Sequence, residues 1–266
     1  MAKGKRWTRD ELLVALNIYE KIPFGLFDED QPVIQDIAKR MKRTPGSVAM
    51  KLANLASLDP AQKARGRKGL DGASNLDRKT WAEFQANRDA LAPVSEEMFR
   101  ELFGAAPADE LEMVKGVGVR RRKAPGPPSG PTETTAEVTV RRGQQFFQQM
   151  VLNAFDGRCG VTGIALRDLL VASHILPWRS HPSERLNPQN GVCLSRLHDG
   201  AFDRGLVTFD DDLRLVLSKE LRAAVTNATL KQSFAEFEGE RLIVPHGALP
   251  PKREFFAFHR NHIFRD

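Results

Sequence analysis

The 266-residue sequence predicts an α+β chain in three parts. An all-α, helix-turn-helix-like unit occupies residues 1–104, a flexible basic linker 105–139, and a second unit 140–266, built on a strand–loop–strand–helix core with added helices and a hairpin. Three observations carry this. Apolar residues recur at helical spacing through the first hundred positions. The periodicity then vanishes in a stretch rich in Pro, Gly, Thr and Glu. Beyond it, short apolar runs alternate with turn signals around one long polar loop.

Thr8, followed by Asp10 and Glu11 and then by Leu12, Leu13, Ala15, Leu16, Ile18 and Tyr19, predicts a capped amphipathic helix running to about Lys21. Pro32 opens a second helix with Val33, Ile34, Ile37, Ala38 and Met41 on its inner face. Residues 43–47 make a tight connection into a third helix over 48–56. Between residues 37 and 70, nine Lys or Arg stand against a single acid, Asp59. A helix, a short turn and a base-rich helix resemble a helix-turn-helix reader, whose later helix enters the DNA major groove while flanking bases clamp phosphates. On that reading Ser47, Lys51 and Asn54 face the groove, and Arg43 with Arg67 and Lys68, the last two in the Gly-rich loop 66–75, contacts backbone phosphate. The alternative is a small helical bundle whose charges are merely solvated. Further helices are expected over 77–91, with Trp81 and Phe84 as core anchors, and around 96–103. The basic run 120–123 in the linker either grips DNA non-specifically or belongs to an ordinary tether.

In the second unit, Phe146, Phe147, Met150, Val151, Ala154 and Phe155 predict a helix that supports its core. The apolar run 169–172 leading to His174 suits a buried strand, and 179–189 a long ordered loop. Residues 191–194 suit a second strand pairing with the first, and 196–204 a short helix ended by Gly205. Runs 206–209 and 213–217, split by Asp210, Asp211 and Asp212, predict a hairpin whose acidic tip reads as a turn and not as a metal site.

His174, Asn190 and His198 follow one another through this segment. Cutting a phosphodiester needs a base to deprotonate water, a cation to stabilise charge on the phosphate and the departing oxygen, and a scaffold holding both about one phosphate apart. Three such side chains can supply that, and a strand end is a rigid mount for a basic imidazole. The stretch reads C-x-x-T-G at 159–163, S-H-I-x-P-W at 173–178, N-G at 190–191 and H-x-x-x-F-D-x-G at 198–205. Over roughly residues 141–217 it resembles the HNH endonucleases with the ββα-metal fold.

The resemblance implies a phosphodiester hydrolase in which His174 is the general base, Asn190 braces the base-bearing loop and His198 is a metal ligand. It implies one divalent ion, magnesium or manganese first, with zinc, nickel or cobalt as alternatives. Many HNH proteins carry an acid or a second histidine just before the base; Ser173 stands there in this chain. Asp203 is the nearest replacement ligand, with a capping or salt-bridge role as its alternative. The positions matching the structural-zinc cysteine pairs are Cys159 with Thr162 and Leu194 with Leu197, so no four-thiolate zinc is expected. Arg179 and Arg185 in the long loop are read as phosphate contacts, because the guanidinium fork matches phosphate oxygens. His181, His246, His259 and His262 are read as loop or packing residues.

Net charge is +6 with a sequence pI near 9.5, which suits a polyanionic partner. With 41% hydrophobic residues, no apolar run of membrane-spanning length and no signal-like start, a cytoplasmic protein without a membrane partner is expected. Cys159 and Cys193 are expected to stay reduced and buried. The expectation is therefore a divalent-metal-dependent endonuclease of double-stranded DNA, of restriction or defence type and open to sensitivity to base modification. Paired cuts would be easiest for a homodimer. The rivals are a non-catalytic DNA-binding regulator with a degenerate nuclease module, and an RNA- or structure-specific nuclease.

Overall fold

A computed structural model of the chain describes residues 5–104, 109–114, 117–123 and 135–266. It divides into two compact units, Met1–Met150 and Val151–Asp266.

In the first unit, α1 (Arg9–Lys21) begins at a capping box: the Glu11 amide donates to the Thr8 hydroxyl and the Thr8 amide to the Glu11 carboxylate. Helices α2 (Pro32–Arg40), α3 (Pro45–Ala56) and α4 (Pro60–Ala64) each take Pro in the first turn, where its missing N–H has no helical partner to lose. The expected helices 77–91 and 96–103 are instead α5 (Asn75–Ala86) and α6 (Arg88–Leu102). The break falls at Asn87, and Pro93 lies inside α6, in its second turn, where it forgoes the ladder bond to the Asp89 carbonyl. α1 packs against α3, α5 and α6 through a stripe that includes the fully buried Leu12, Leu16 and Ile18. Its last turn carries Lys21, wholly buried and ion-paired with Glu96, which also accepts from Asn17 (2.9 Å) and Gln149 (3.2 Å). Such a pair adds little net stability, because the cost of removing both charges from water offsets their attraction.

Part of the expected linker is folded. β1 (Asp109–Val114) and β2 (Gly118–Lys123) form an antiparallel hairpin, with Leu111 and Val119 buried, Arg120 paired to Glu112 (2.9 Å) and Arg121 reaching Asp36 (3.3 Å). Dense charge masks the short apolar alternation in the sequence. In α7 (Thr135–Ala154), Phe146 lies 5.7 Å from the Lys21 ammonium and Gln149 accepts the Leu111 amide. Those side chains serve the first unit's core, where the sequence assigned this helix to the second.

The groove-facing assignment of Lys51 and Asn54 on α3 is overturned. Lys51 is buried with its ammonium 2.8 Å from both oxygens of Asp77, and Asn54 is buried against Gly72. Arg43 is held by Glu11 (2.7 Å), by the carbonyls of Lys5 and Arg6 (3.0 Å each) and by the face of Trp7. The acids that neutralise these bases come from α1 and α5, which a running charge count cannot locate. Ser47 is half-exposed in the first turn of α3, Arg67 donates to Gln62 over the Phe24 ring, and Lys68 is exposed.

In the second unit, β3 (Leu170–His174) and β4 (Gly191–Ser195) pair antiparallel, Leu170 opposite Ser195 and His174 opposite Gly191. α8 (Arg196–Asp203), capped by the Ser195 hydroxyl, packs on both strands. It ends in a Schellman turn: Gly205 at φ +68° donates to Phe202, and Leu206 to Ala201. A Cβ on Gly205 would lie 2.0 Å from the Ile263 carbonyl oxygen, so the chain end sits directly on this turn. β5 (Val207–Phe209) and β6 (Leu215–Leu217) form the hairpin, whose tip is fastened by Asp210 accepting the Asp212 and Arg214 amides. α9 (Lys219–Ala224), α10 (Ala228–Ser233) and α11 (Arg253–His262) complete the unit. Cys159 and Cys193 are free and buried; the Ser195 amide donates to the Cys159 sulfur (3.2 Å) and the Gly160 amide to the Cys193 carbonyl (2.7 Å). No helix among the described residues is long and apolar enough to cross a membrane.

Candidate active site

A cavity of about 380 Å³ in the second unit is lined by the end of β3, one face of α8 and part of α11. Its polar walls are Ser173, His174, Asp199, Asp203 and His259, with Trp178 on the loop side.

His174 is the last residue of β3, so paired backbone fixes its Cα. Its Nε2 lies 2.9 Å from the Arg185 carbonyl oxygen. A carbonyl can only accept, so Nε2 carries the proton and the lone pair belongs to Nδ1. Burial holds the imidazole below its ordinary pKa, against the Arg185 bond, which keeps it neutral near pH 7. Trp178 stands edge-on to the ring (5.2 Å), and the Arg185 guanidinium lies over Trp178 while its Nε donates to the Trp178 carbonyl (2.8 Å).

The loop between His174 and β4 is tied by Asn190. Its side-chain oxygen accepts the Leu176 amide (2.8 Å), its amide donates to the Glu184 carbonyl (3.0 Å), and its own carbonyl accepts the Ile175 amide (3.0 Å). Asn190 is buried, and only a side chain that both donates and accepts can close both ends of this loop.

Across the cavity stand Asp199 and Asp203, four residues apart and so on one face of α8. Burial raises the pKa of both carboxyls; the Asp199 charge raises Asp203 further, and Arg204 opposes it. Ser173, from the neighbouring strand, lies close enough to lower Asp199 somewhat, although its buried hydroxyl has no hydrogen bond of ordinary geometry. Two neighbouring carboxylates, that of Asp199 half-buried and that of Asp203 exposed, are relieved by a cation between them. Among the described residues, no three His, Cys, Asp or Glu side chains gather closely enough to cage an ion. Two carboxylates are the donor type that a hard divalent cation such as Mg²⁺ takes while it keeps several waters.

His198 is turned elsewhere, which corrects its assignment as a metal ligand. It is buried with Nδ1 2.8 Å from the Ser195 hydroxyl and Nε2 2.8 Å from the Ser233 carbonyl, and its ring packs on Phe234 (4.9 Å). Both nitrogens are engaged within the protein, and the ring is absent from the cavity wall. One residue along a helix turns the side chain by about 100°, so the face that carries Asp199 and Asp203 cannot also carry His198.

Asp199 and His259 are the residues that reading the sequence missed. The signal for Asp199 was its spacing of four from Asp203. His259 had none, because the aromatic stretch around it reads as packing. It stacks flat on Phe202 (3.8 Å, 6° between planes), its Nδ1 2.9 Å from the Thr208 hydroxyl and its Nε2 3.1 Å from the Phe202 carbonyl, and burial pushes its pKa down to about 4. Arg179 is exposed on the loop, outside the cavity lining, and Arg185 is half-buried behind Trp178.

Residues 159–210 match the family model described as HNH endonuclease. The matched stretch holds His174, Asn190, Asp199 and Asp203 and stops short of α11. No curated protein matches the chain.

Proposed function

We propose that the chain is a divalent-cation-dependent endonuclease of double-stranded DNA, with His174 as general base and with Asp199 and Asp203 holding the cation. What carries the reading is the pairing, across one cavity, of a neutral imidazole with its lone pair on Nδ1 and two carboxylates on one face of α8, each with its pKa raised. Nδ1 takes a proton from water, and the developing imidazolium is stabilised by the Nε2–H bond to Arg185. Asn190 keeps that carbonyl in place by tying Glu184 and Leu176. What a divalent cation supplies when bound is charge neutralisation at the scissile phosphate and its leaving oxygen. Arg179 and the outward part of Arg185 orient the phosphate, and exposed Lys68 with Arg67 and Ser47 in the first unit adds non-specific backbone contacts. A role in restriction of foreign DNA, dependent on base modification, extends the reading. It predicts unequal cleavage of unmodified, cytosine-methylated and adenine-methylated substrates.

The test is nicking of supercoiled plasmid with Mg²⁺ or Mn²⁺. His174→Ala should lower the rate by at least about 100-fold, the usual contribution of a positioned base. Cleavage as fast as the parent's would end the assignment. The absence of any three-ligand cluster among the described residues favours a second reading, a DNA-binding module without cleavage. Metal-independent DNA binding by a parent protein that never nicks would establish it.

A further inference from the structure

We infer that His259, on α11 and outside the matched stretch, is a positioning residue for the carboxylate face of α8; the inference rests on the cation-site reading above. Asp203 is the last residue of α8, in the turn where the Gly205 amide donates to the Phe202 carbonyl and the Leu206 amide to that of Ala201. A carboxylate on a helix's last residue is only as well placed as the turn that carries it. The carbonyl of Phe202, immediately before Asp203, accepts the Nε2–H of His259 (3.1 Å), and the two rings lie flat against each other. The far nitrogen of the same imidazole faces the buried Thr208 hydroxyl at 2.9 Å, with the hydroxyl donating, so a neighbouring strand fixes the ring's rotation and its proton.

The rest of the chain end clamps the same turn. Arg265 donates its amide to the Gly205 carbonyl (2.9 Å), Arg260 donates to the Phe209 carbonyl (2.6 Å), and Phe256 packs edge-on to Phe202. His259 is the one member of this clamp that also lines the cavity and bonds to the backbone beside Asp203. The last helix thus completes a site whose reacting groups all precede residue 210, by holding Asp203 in register with Asp199 one turn back. Partners that orient ligands in this way are typically worth about 10–100-fold in metal affinity.

The experiment measures Mn²⁺ binding to metal-stripped full-length protein by electron paramagnetic resonance, without DNA, alongside thermal melting. His259→Phe keeps the stacked ring and loses both polar contacts; His259→Gln keeps an amide donor for Phe202; Thr208→Val removes the other partner and leaves the Phe202 bond. His259→Phe should weaken Mn²⁺ binding by about tenfold or more, His259→Gln should recover most of it, and Thr208→Val should melt earlier yet bind within about threefold of the parent. If affinity follows melting temperature across all three variants, His259 is only a core residue and the inference is overturned. If His259→Phe does not fold, His259→Met, which also loses both polar contacts, takes its place: Mn²⁺ binding within about threefold of the parent refutes the positioning role. A parent that binds no Mn²⁺ overturns the cation-site reading itself, a result distinct from parent-like binding by His259→Phe.

Discussion

The two neighbouring residues His198 and Asp199 allow the site to be tested by opposite movements of stability and ion affinity. His198 is 2% exposed, donates from Nε2 to Ser233 and accepts at Nδ1 from Ser195. Replacing it by Gln preserves one of these contacts at best and strands a buried polar group, which costs about 1–3 kcal/mol. Poorer packing against Phe234 adds to this. The expected loss is about 2 kcal/mol, or a fall in Tm of about 8 °C for a unit of this size. Mn²⁺ affinity should stay within about threefold of the parent. Asp199→Asn removes a charge that burial already disfavours, so the metal-free protein should melt at or above the parental temperature. Its Mn²⁺ affinity should fall by at least about tenfold, because a carboxylate near an ion contributes several kcal/mol even at an effective dielectric of about 20. Differential scanning fluorimetry with and without Mn²⁺ reads both quantities. His198→Gln abolishing the Mn²⁺-dependent shift while melting like the parent would refute the reasoning and restore His198 as the ligand.

Three further outcomes follow from the packing. Glu11 is pushed up by burial but brought down to about 2 by Arg43, the Thr8 amide and Lys5. Its ionised form is therefore favoured by folding, and the stability it adds is complete above about pH 4.5 and lost as the pH falls through about 2. Urea unfolding should show Glu11→Gln less stable by about 2–3 kcal/mol at pH 7 and nearly level with the parent at pH 2; parallel pH profiles would contradict this. Gly205→Ala forces a Cβ into left-handed backbone and onto the Ile263 carbonyl, for a loss of about 3 kcal/mol by chemical denaturation, and a neutral result would mean the chain end does not rest on α8. Lys68→Ala should reduce the slope of log affinity for DNA against log salt by about 0.9. Lys51→Met should leave that slope alone while costing about 3–5 kcal/mol through the stranded Asp77, and a lowered slope would return Lys51 to the DNA surface.

The contrast between the two units shows what a linear sequence can disclose. In the second unit, the strand ending at His174, the loop closed by Asn190 and the helix ended by Gly205 were all legible, because each is encoded by neighbours: an apolar run, an unperiodic polar stretch, a glycine that tolerates positive φ. The helices opened by Thr8 and Pro32 were legible for the same reason. Pairings between distant segments were not. The acids that claim Arg43 and Lys51 are 32 and 26 positions away, so bases that look available for phosphate are consumed within the fold. His259 is 57 positions from the Phe202 carbonyl it holds.

Asp199 is the instructive case, because it was encoded locally and still missed. Motif order drew attention to His198, whereas helical phase selects whichever residue stands four from Asp203. The rule that adjacent helical positions face about 100° apart separates the two without any coordinates. On the proposed cation site, phase relative to Asp203 on the same helix selects Asp199 over the motif histidine. Here it leaves His198 to bind Ser195 and Ser233 in the core and places Asp199 in the wall of the cavity that His174 also lines.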